Sequence, residues 1–236
     1  MYNGLVADSK KVQIRIDKTY PKVVKQFKKS HSFPVSYIDE YTIPATNNQY
    51  VIFYYARNLT ETDRPHYVPF CVLFIGKQRF VIRGMSMGYK HTPNSKMVML
   101  PQIHAYTSHF FQRYNERFLH KDSITSNEIA GMFLVRNPKV MPIMLNEDVN
   151  KNYKEHGPHN GLGMRVRDGF CFTQTAIEGK ESEEGIREND IVDAMAIIYT
   201  TFVNEYDMAD TQRAAINRGH VETWMHCLED ITKIIQ

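Results

Sequence analysis

Cysteine is scarce. Cys71, Cys171 and Cys227 are the only three in 236 residues, and they stand far apart. That spacing excludes a disulfide-stapled scaffold and fits thiols kept reduced and buried as small apolar groups. Long apolar runs are missing as well. The longest, Tyr67 to Ile75, falls well short of the ~20 residues that a spanning helix needs. The opening Met1-Tyr2-Asn3-Gly4 lacks the basic start and apolar stretch of a secretory signal. A cytoplasmic protein without membrane association is therefore expected, and the sequon Asn58-Leu59-Thr60 carries no meaning there. Gly157, Gly161 and Gly163 form no phosphate-loop or dinucleotide fingerprint. His156 and His159 with Glu155 lack a third spaced ligand, so neither metal nor cofactor is expected.

What is present is an ordinary globular composition, 42% hydrophobic and 23% charged. The length fits one large domain, or a domain with an appended helical segment. Charge is informative by segment. Residues 178–236 hold 13 acidic and 5 basic side chains, whereas residues 1–177 hold 24 basic and 13 acidic, a net +11. A basic body with an acidic C-terminal part points to a polyanionic partner, RNA being the expectation.

Hydrophobic spacing sets out the elements. Val12, Ile14 and Ile16 alternate as in a short strand over Val12–Asp17. Lys18–Ser30 reads as an amphipathic helix carrying Lys18, Lys22, Lys25, Lys28 and Lys29 and no acidic residue. Tyr50–Tyr55 and Tyr67–Ile75 are strand-like, and Gly76-Lys77 turns the second into Gln78–Arg83. Lys90–Ser95 reads as a loop and Met97–Ile103 as a strand. Helical spacing starts at Tyr106, with Thr107 or Ser108 as N-cap. A second helix over Thr125–Arg136 has Thr125 and Glu128 placed as a capping box and ends at Asn137-Pro138. Val140–Leu145 is strand-like, Asn146–Asn160 is a polar loop, and Asp168-Gly169 signals a tight hairpin turn. Beyond a charged linker, Glu178–Asp190, two helices are expected, one from Ile191 to Tyr206 and one from Val221 to Ile235. The expected fold is α+β: a mixed or antiparallel sheet with a packed helical pair and a C-terminal helical hairpin. Its parts are residues 1–104, 105–180 and 181–236.

The helix after Tyr106 carries the candidate chemistry. His109, Arg113, Glu116, Arg117 and His120 follow i, i+4, i+7, i+8 and i+11 and so share one face. Such a set suffices for metal-free phosphodiester cleavage. His109 moves a proton near neutral pH, Arg113 and Arg117 hold the scissile phosphate, and Glu116 orients a guanidinium or acts as base. The solvated alternative is a helix surface laced with ion pairs. On the expected hairpin, Arg165 and Arg167 share a face with Phe170 and Phe172, offering cations to phosphates and rings to unpaired bases. The alternative there is that both rings belong to the core. Arg79 and Arg83 add two cations of the same kind.

The His-x-x-x-Arg-x-x-Glu-Arg run at 109–117, with Ile124-Thr125-Ser126-Asn127-Glu128-Ile129 and Asn137-Pro138-Lys139-Val140 after it, resembles small ribonuclease-toxin domains of the BrnT/RelE-like type. The resemblance covers Ser108–Ile177. It implies a helical pair leading into a short, positively charged antiparallel sheet, built from Val140–Leu145, Gly163–Arg167 and Phe170–Ile177, and an endoribonuclease or an inactive relative. Two other classes remain open. One is a non-catalytic protein that binds a partner or itself through the Val221–Ile235 seam. The other is an accessory protein of a phage or mobile element.

Overall fold

A computed structural model of the chain describes residues 1–89, 98–144, 162–179, 192–219 and 221. The loops expected at Lys90–Ser95 and Asn146–Asn160, most of the linker at Glu178–Asp190, Cys227 and nearly all of the final helix lie outside these residues. The fold is α+β, with nine strands, and every pairing described is antiparallel. The chain divides into two compact units, Met1–Arg83 with Tyr106–Pro138, and Gly84–Ala105 with Lys139–Gln236. The helical pair and the 162–179 strands, expected within one part, thus fall in different units.

In the first unit, helix α1 runs from Tyr2 to Phe27. The expected strand at Val12–Asp17 is the middle of this helix. Asp8, Val12, Ile16, Thr19, Val23 and Phe27 are its buried residues, spaced by three or four, while Ile14 is exposed. The longer 3.6-residue period therefore prevails over a three-residue alternation. Strands β1 (Val35–Thr42), β2 (Gln49–Ala56), β3 (His66–Ile75) and β4 (Gln78–Tyr89) follow, neighbours in chain order. The expected β3–β4 hairpin is present, with Ile75 opposite Gln78 across Gly76, whose φ of +61° suits glycine.

Alternation along these strands gives the sheet two working faces. Tyr37, Tyr54 and Tyr67 lie opposite one another across β1, β2 and β3. Tyr20 of α1 packs on Tyr54 and Tyr67 at 6.3 and 6.1 Å between ring centroids. Asp8 of α1 is buried and accepts from Asn48 Nδ2 at 2.7 Å. Phe53, which alternates with Tyr54, meets Gly131 of helix α3 (Ser126–Arg136) on the other face. There Tyr106, Phe110, Phe111, Tyr114 and Phe133 form one buried aromatic cluster, with Phe110 and Tyr114 each 5.0 Å from Phe133. Burial of these rings is the strongest reason that the helical pair belongs to this sheet.

The expected caps are present. Thr107 accepts from the Phe110 N–H at the start of helix α2 (Ser108–Tyr114), and Thr125 and Glu128 form a reciprocal capping box. Helix α2 does not continue as an α-helix. Residues Asn115–Leu119 form a π-helical turn, closed by the His120 N–H on the Asn115 carbonyl at 2.8 Å.

In the second unit, β5 (Val98–Thr107), β9 (Val192–Val203), β8 (Gly169–Gly179), β7 (Leu162–Val166) and β6 (Met141–Met144) are neighbours in that order. Here β9 replaces the first arm of the expected C-terminal helical hairpin. Ile197, Tyr199, Thr201 and Val203 alternate as buried positions, and the segment Ile197–Val203 is β-branched or aromatic throughout. The helix that is described lies later, over 210–219.

The β7–β8 hairpin turns at Arg167-Asp168, one residue before the expected Asp168-Gly169, with Arg165 opposite Phe170 and Val166 opposite Gly169. A Cβ on Gly169 would lie 2.4 Å from the Val203 carbonyl oxygen, and its φ is +155°. This glycine is required by close approach to the neighbouring strand, not by the turn itself.

Candidate functional site

The helix α2 face is the first place to look. His109 and His120 are exposed, and Arg113 and Arg117 are half-buried. Arg113 Nη1 donates to Glu116 Oε2 at 2.9 Å, and Gln112 Nε2 donates to Glu116 Oε1 at 2.9 Å. These hydrogen bonds, from Gln112 and then Arg113, hold the Glu116 carboxyl below its usual range despite an opposing desolvation. A carboxylate so engaged is a weak base, and it neutralises one of the two cations assigned to the phosphate. The π-helical turn also shifts Arg117 and His120 off the ideal α spacing, since i→i+5 bonding widens the turn. Of the predicted set, the structure brings Arg113 and Glu116 together.

The hairpin residues part company. Phe170 and Phe172 are fully buried and pack against each other at 5.0 Å, within a core of Ile143, Val203, Met208, Ala215 and Ile216. Their expected use as base-stacking platforms is corrected: the rings are core. Arg165 is half-buried and bonded to Glu205 Oε1 at 2.9 Å and Asn217 Oδ1 at 3.3 Å, so its charge is answered within its own unit. Arg167 is exposed in the turn rather than on the strand face. Arg83 is half-buried on β4.

Arg79 is the predicted cation whose surroundings are most distinctive. It lines a groove of about 450 Å³ with Ile38, Glu40, Thr125, Ser126, Asn127 and Glu128. Its Nη2 donates to Asn127 Oδ1, while Asn127 Nδ2 donates to Glu40 Oε1 at 2.7 Å. Burial pushes the Arg79 guanidinium down from its ordinary value, with Glu40 pulling it back. Glu40 and Asn127 had no sequence signal as site residues, being 87 positions apart.

The basic helix anticipated over Lys18–Ser30 is the latter part of α1, which ends at Phe27, and it presents a row. Lys11, Lys18, Lys22 and Lys25 of the helix are all exposed and are separated by steps of seven, four and three, and Lys29, in the turn just past the helix end, is exposed as well. At 100° per residue the four helical lysines fall within one narrow stripe, away from the buried stripe through Val12, Ile16 and Val23. Lys22 Nζ sits 5.4 Å from the Tyr37 ring centroid. Among the described residues none of Lys11, Lys18, Lys25 and Lys29 is paired with a carboxylate. No acidic residue occurs between Asp17 and Asp39. The first unit as a whole holds 17 basic and 9 acidic residues, net +8, and the second holds 12 and 17, net −5.

Burial pushes the Cys71 thiol up to about 12 and that of Cys171 well above its ordinary value, so neither is a nucleophile near neutral pH. Among the described residues no group of three or more His, Cys, Asp or Glu side chains could hold a metal ion, and no helix is long and apolar enough to cross a membrane. Comparisons with protein-family models, with curated proteins and with solved structures gave no match.

Proposed function

We propose that the basic unit is an RNA-binding module whose α1 lysine row contacts the phosphate backbone. The observation that carries this reading is the row itself: four exposed lysines in one stripe of α1 and Lys29 just past its end, without an acidic side chain among them. Like charges three and four apart cost a helix about 0.2–0.5 kcal/mol per pair. A polyanion laid along the stripe turns that repulsion into attraction and releases its counterions. From Lys11 to Lys25 the row is about 21 Å long at ~1.5 Å per residue, enough for several successive phosphates.

The test is binding of a labelled RNA to the full chain across a salt series. The logarithm of affinity is expected to fall linearly with the logarithm of salt, at about −0.7 per phosphate neutralised on a single strand. Absence of binding at low salt, or an affinity indifferent to salt, overturns the reading.

Metal-independent cleavage centred on His109 is the second reading. It is favoured by the exposure of His109 beside the Arg113–Glu116 pair and by the resemblance to ribonuclease toxins. Cleavage of RNA by the wild-type chain with a chelator present, lost in His109→Ala, is the result it requires. Uncut RNA in a complex that forms normally removes it and leaves binding.

A further inference from the structure

The groove between β1 and the start of α3 contains an unusual arrangement. One side-chain amide, that of Asn127, is held between a guanidinium and a carboxylate. Its oxygen accepts from Arg79 and its nitrogen donates to Glu40. Seen from Arg79 and Glu40, the amide is an acceptor beside a donor. The lactam edge of guanine, O6 next to N1–H, presents the same pair in the same order. Guanine also extends it at both ends, with N7 as a second acceptor on the Arg79 side and the N2 amine as a second donor on the Glu40 side. A guanidinium fork and a two-oxygen carboxylate are each able to take both bonds. The space of about 450 Å³ lies within the ordinary range for small-ligand sites, and Ile38 supplies an apolar wall for the ring.

We propose that this groove is a guanine-recognition site, in which Glu40 accepts from N1–H and N2–H, Arg79 donates to O6 and N7, and Asn127 holds the two in place until the base replaces it. Uracil shares the lactam pair but has neither N7 nor an exocyclic amine, so half of the bonds stay unmade. Adenine offers its exocyclic amine where guanine has O6, setting a donor against the Arg79 donors. Cytosine has O2 beside N3 as acceptors but only its N4 amine as donor, with no ring N–H next to it, so one of the two Glu40 bonds stays unmade. The base arrives either as a free guanine nucleotide or within RNA. The inference rests on the RNA-binding reading for the polymer alone, since the groove is built from residues other than the lysine row.

Calorimetric titration of the full chain with GMP, AMP, UMP and CMP tests it. GMP is expected to bind about tenfold or more tighter than each of the others. Glu40→Gln replaces one of the two acceptor oxygens with a donor facing the guanine N–H groups, and it and Arg79→Met are each expected to abolish the preference. Equal binding of all four nucleotides, or a GMP preference that survives Glu40→Gln or Arg79→Met, overturns the proposal.

Oligoadenylates with and without one guanosine separate the two claims. If oligoadenylate binds in a salt-dependent manner and neither guanosine nor GMP adds anything, the groove assignment fails and the RNA reading stands. If GMP binds selectively and no oligonucleotide binds, the RNA reading fails and the groove is a free-nucleotide site.

Discussion

Arg15 on α1 and Asp39 on β1 form a two-pronged ion pair, Nε to Oδ2 at 2.7 Å and Nη2 to Oδ1 at 2.6 Å, and Thr19 Oγ1 adds a third bond to Oδ2 at 2.9 Å. The pair fixes the rotation of α1 against the sheet. That rotation decides which residues of the helix are buried and which form the exposed lysine row.

Desolvation pushes the Asp39 carboxyl up, but the hydrogen bonds from Arg15 and Thr19, with the charges of Arg15 and Lys22, outweigh it and leave the group below its usual range. A depressed carboxyl contributes stability in full above its unfolded-state value of ~3.9, and loses it as pH falls through the folded value. Asp39→Asn is expected to cost about 1.5–3 kcal/mol at neutral pH, the range for hydrogen bonds to a charged group. Denaturant unfolding from pH 8 downward checks this. The gap between wild type and variant stays constant to about pH 5 and narrows below about pH 4.

Gly131 tests the packing of α3 on the sheet. A Cβ there would lie 2.2 Å from Phe53 Cγ, whereas one on Gly4 of α1 would meet nothing within 4 Å. Gly131→Ala is therefore expected to destabilise by about 1–3 kcal/mol through overpacking, despite the better helix propensity of alanine. Gly4→Ala is expected to be neutral or stabilising by up to about 1 kcal/mol. Thermal unfolding of the two variants, moving in opposite directions or with Gly4→Ala unchanged, checks the contrast.

Much of the first unit was legible in sequence because its signals are local. The capping box at Thr125, the cap at Thr107 and the Gly76 turn each need only a few neighbouring residues. The misread elements are those in which two periods compete. Val12, Ile14 and Ile16 alternate, yet Ile14 faces water and the longer helical stripe decides. In β9 the residues Ala194, Met195, Ile198 and Phe202 mimic helical spacing, but Phe202 is buried beside Val203, and the β-branched run around them forms a strand. Such a run pairs well in a sheet and poorly fills a helix. The groove was illegible for a different reason: Glu40, Arg79 and Asn127 meet only through the tertiary fold, and Asn127 looks in sequence like an ordinary first-turn residue.

Tyr54 offers a test in the opposite direction. Its hydroxyl is buried without a hydrogen-bond partner among the described residues. A buried polar group left unpaired costs about 1–3 kcal/mol. Tyr54→Phe keeps the ring contacts with Tyr20, Tyr37 and Tyr67 and removes that cost, so its unfolding midpoint is expected to match or exceed that of wild type. A clear loss of stability would mean that the hydroxyl is satisfied in solution.

The most direct test of the α1 row is fluorescence anisotropy of one labelled single-stranded RNA with three proteins over a salt series. These are wild type, the triple variant Lys18→Gln, Lys25→Gln, Lys29→Gln, and a control variant in which the exposed Arg64 and Lys77 are changed to Gln. The row variant is expected to bind far more weakly at low salt, with a slope shallower by about 2, near 0.7 for each lost phosphate contact. The control is expected to follow wild type closely. A row variant that binds like wild type, or a control that loses as much as the row variant, contradicts the assignment of α1 as the RNA-binding surface.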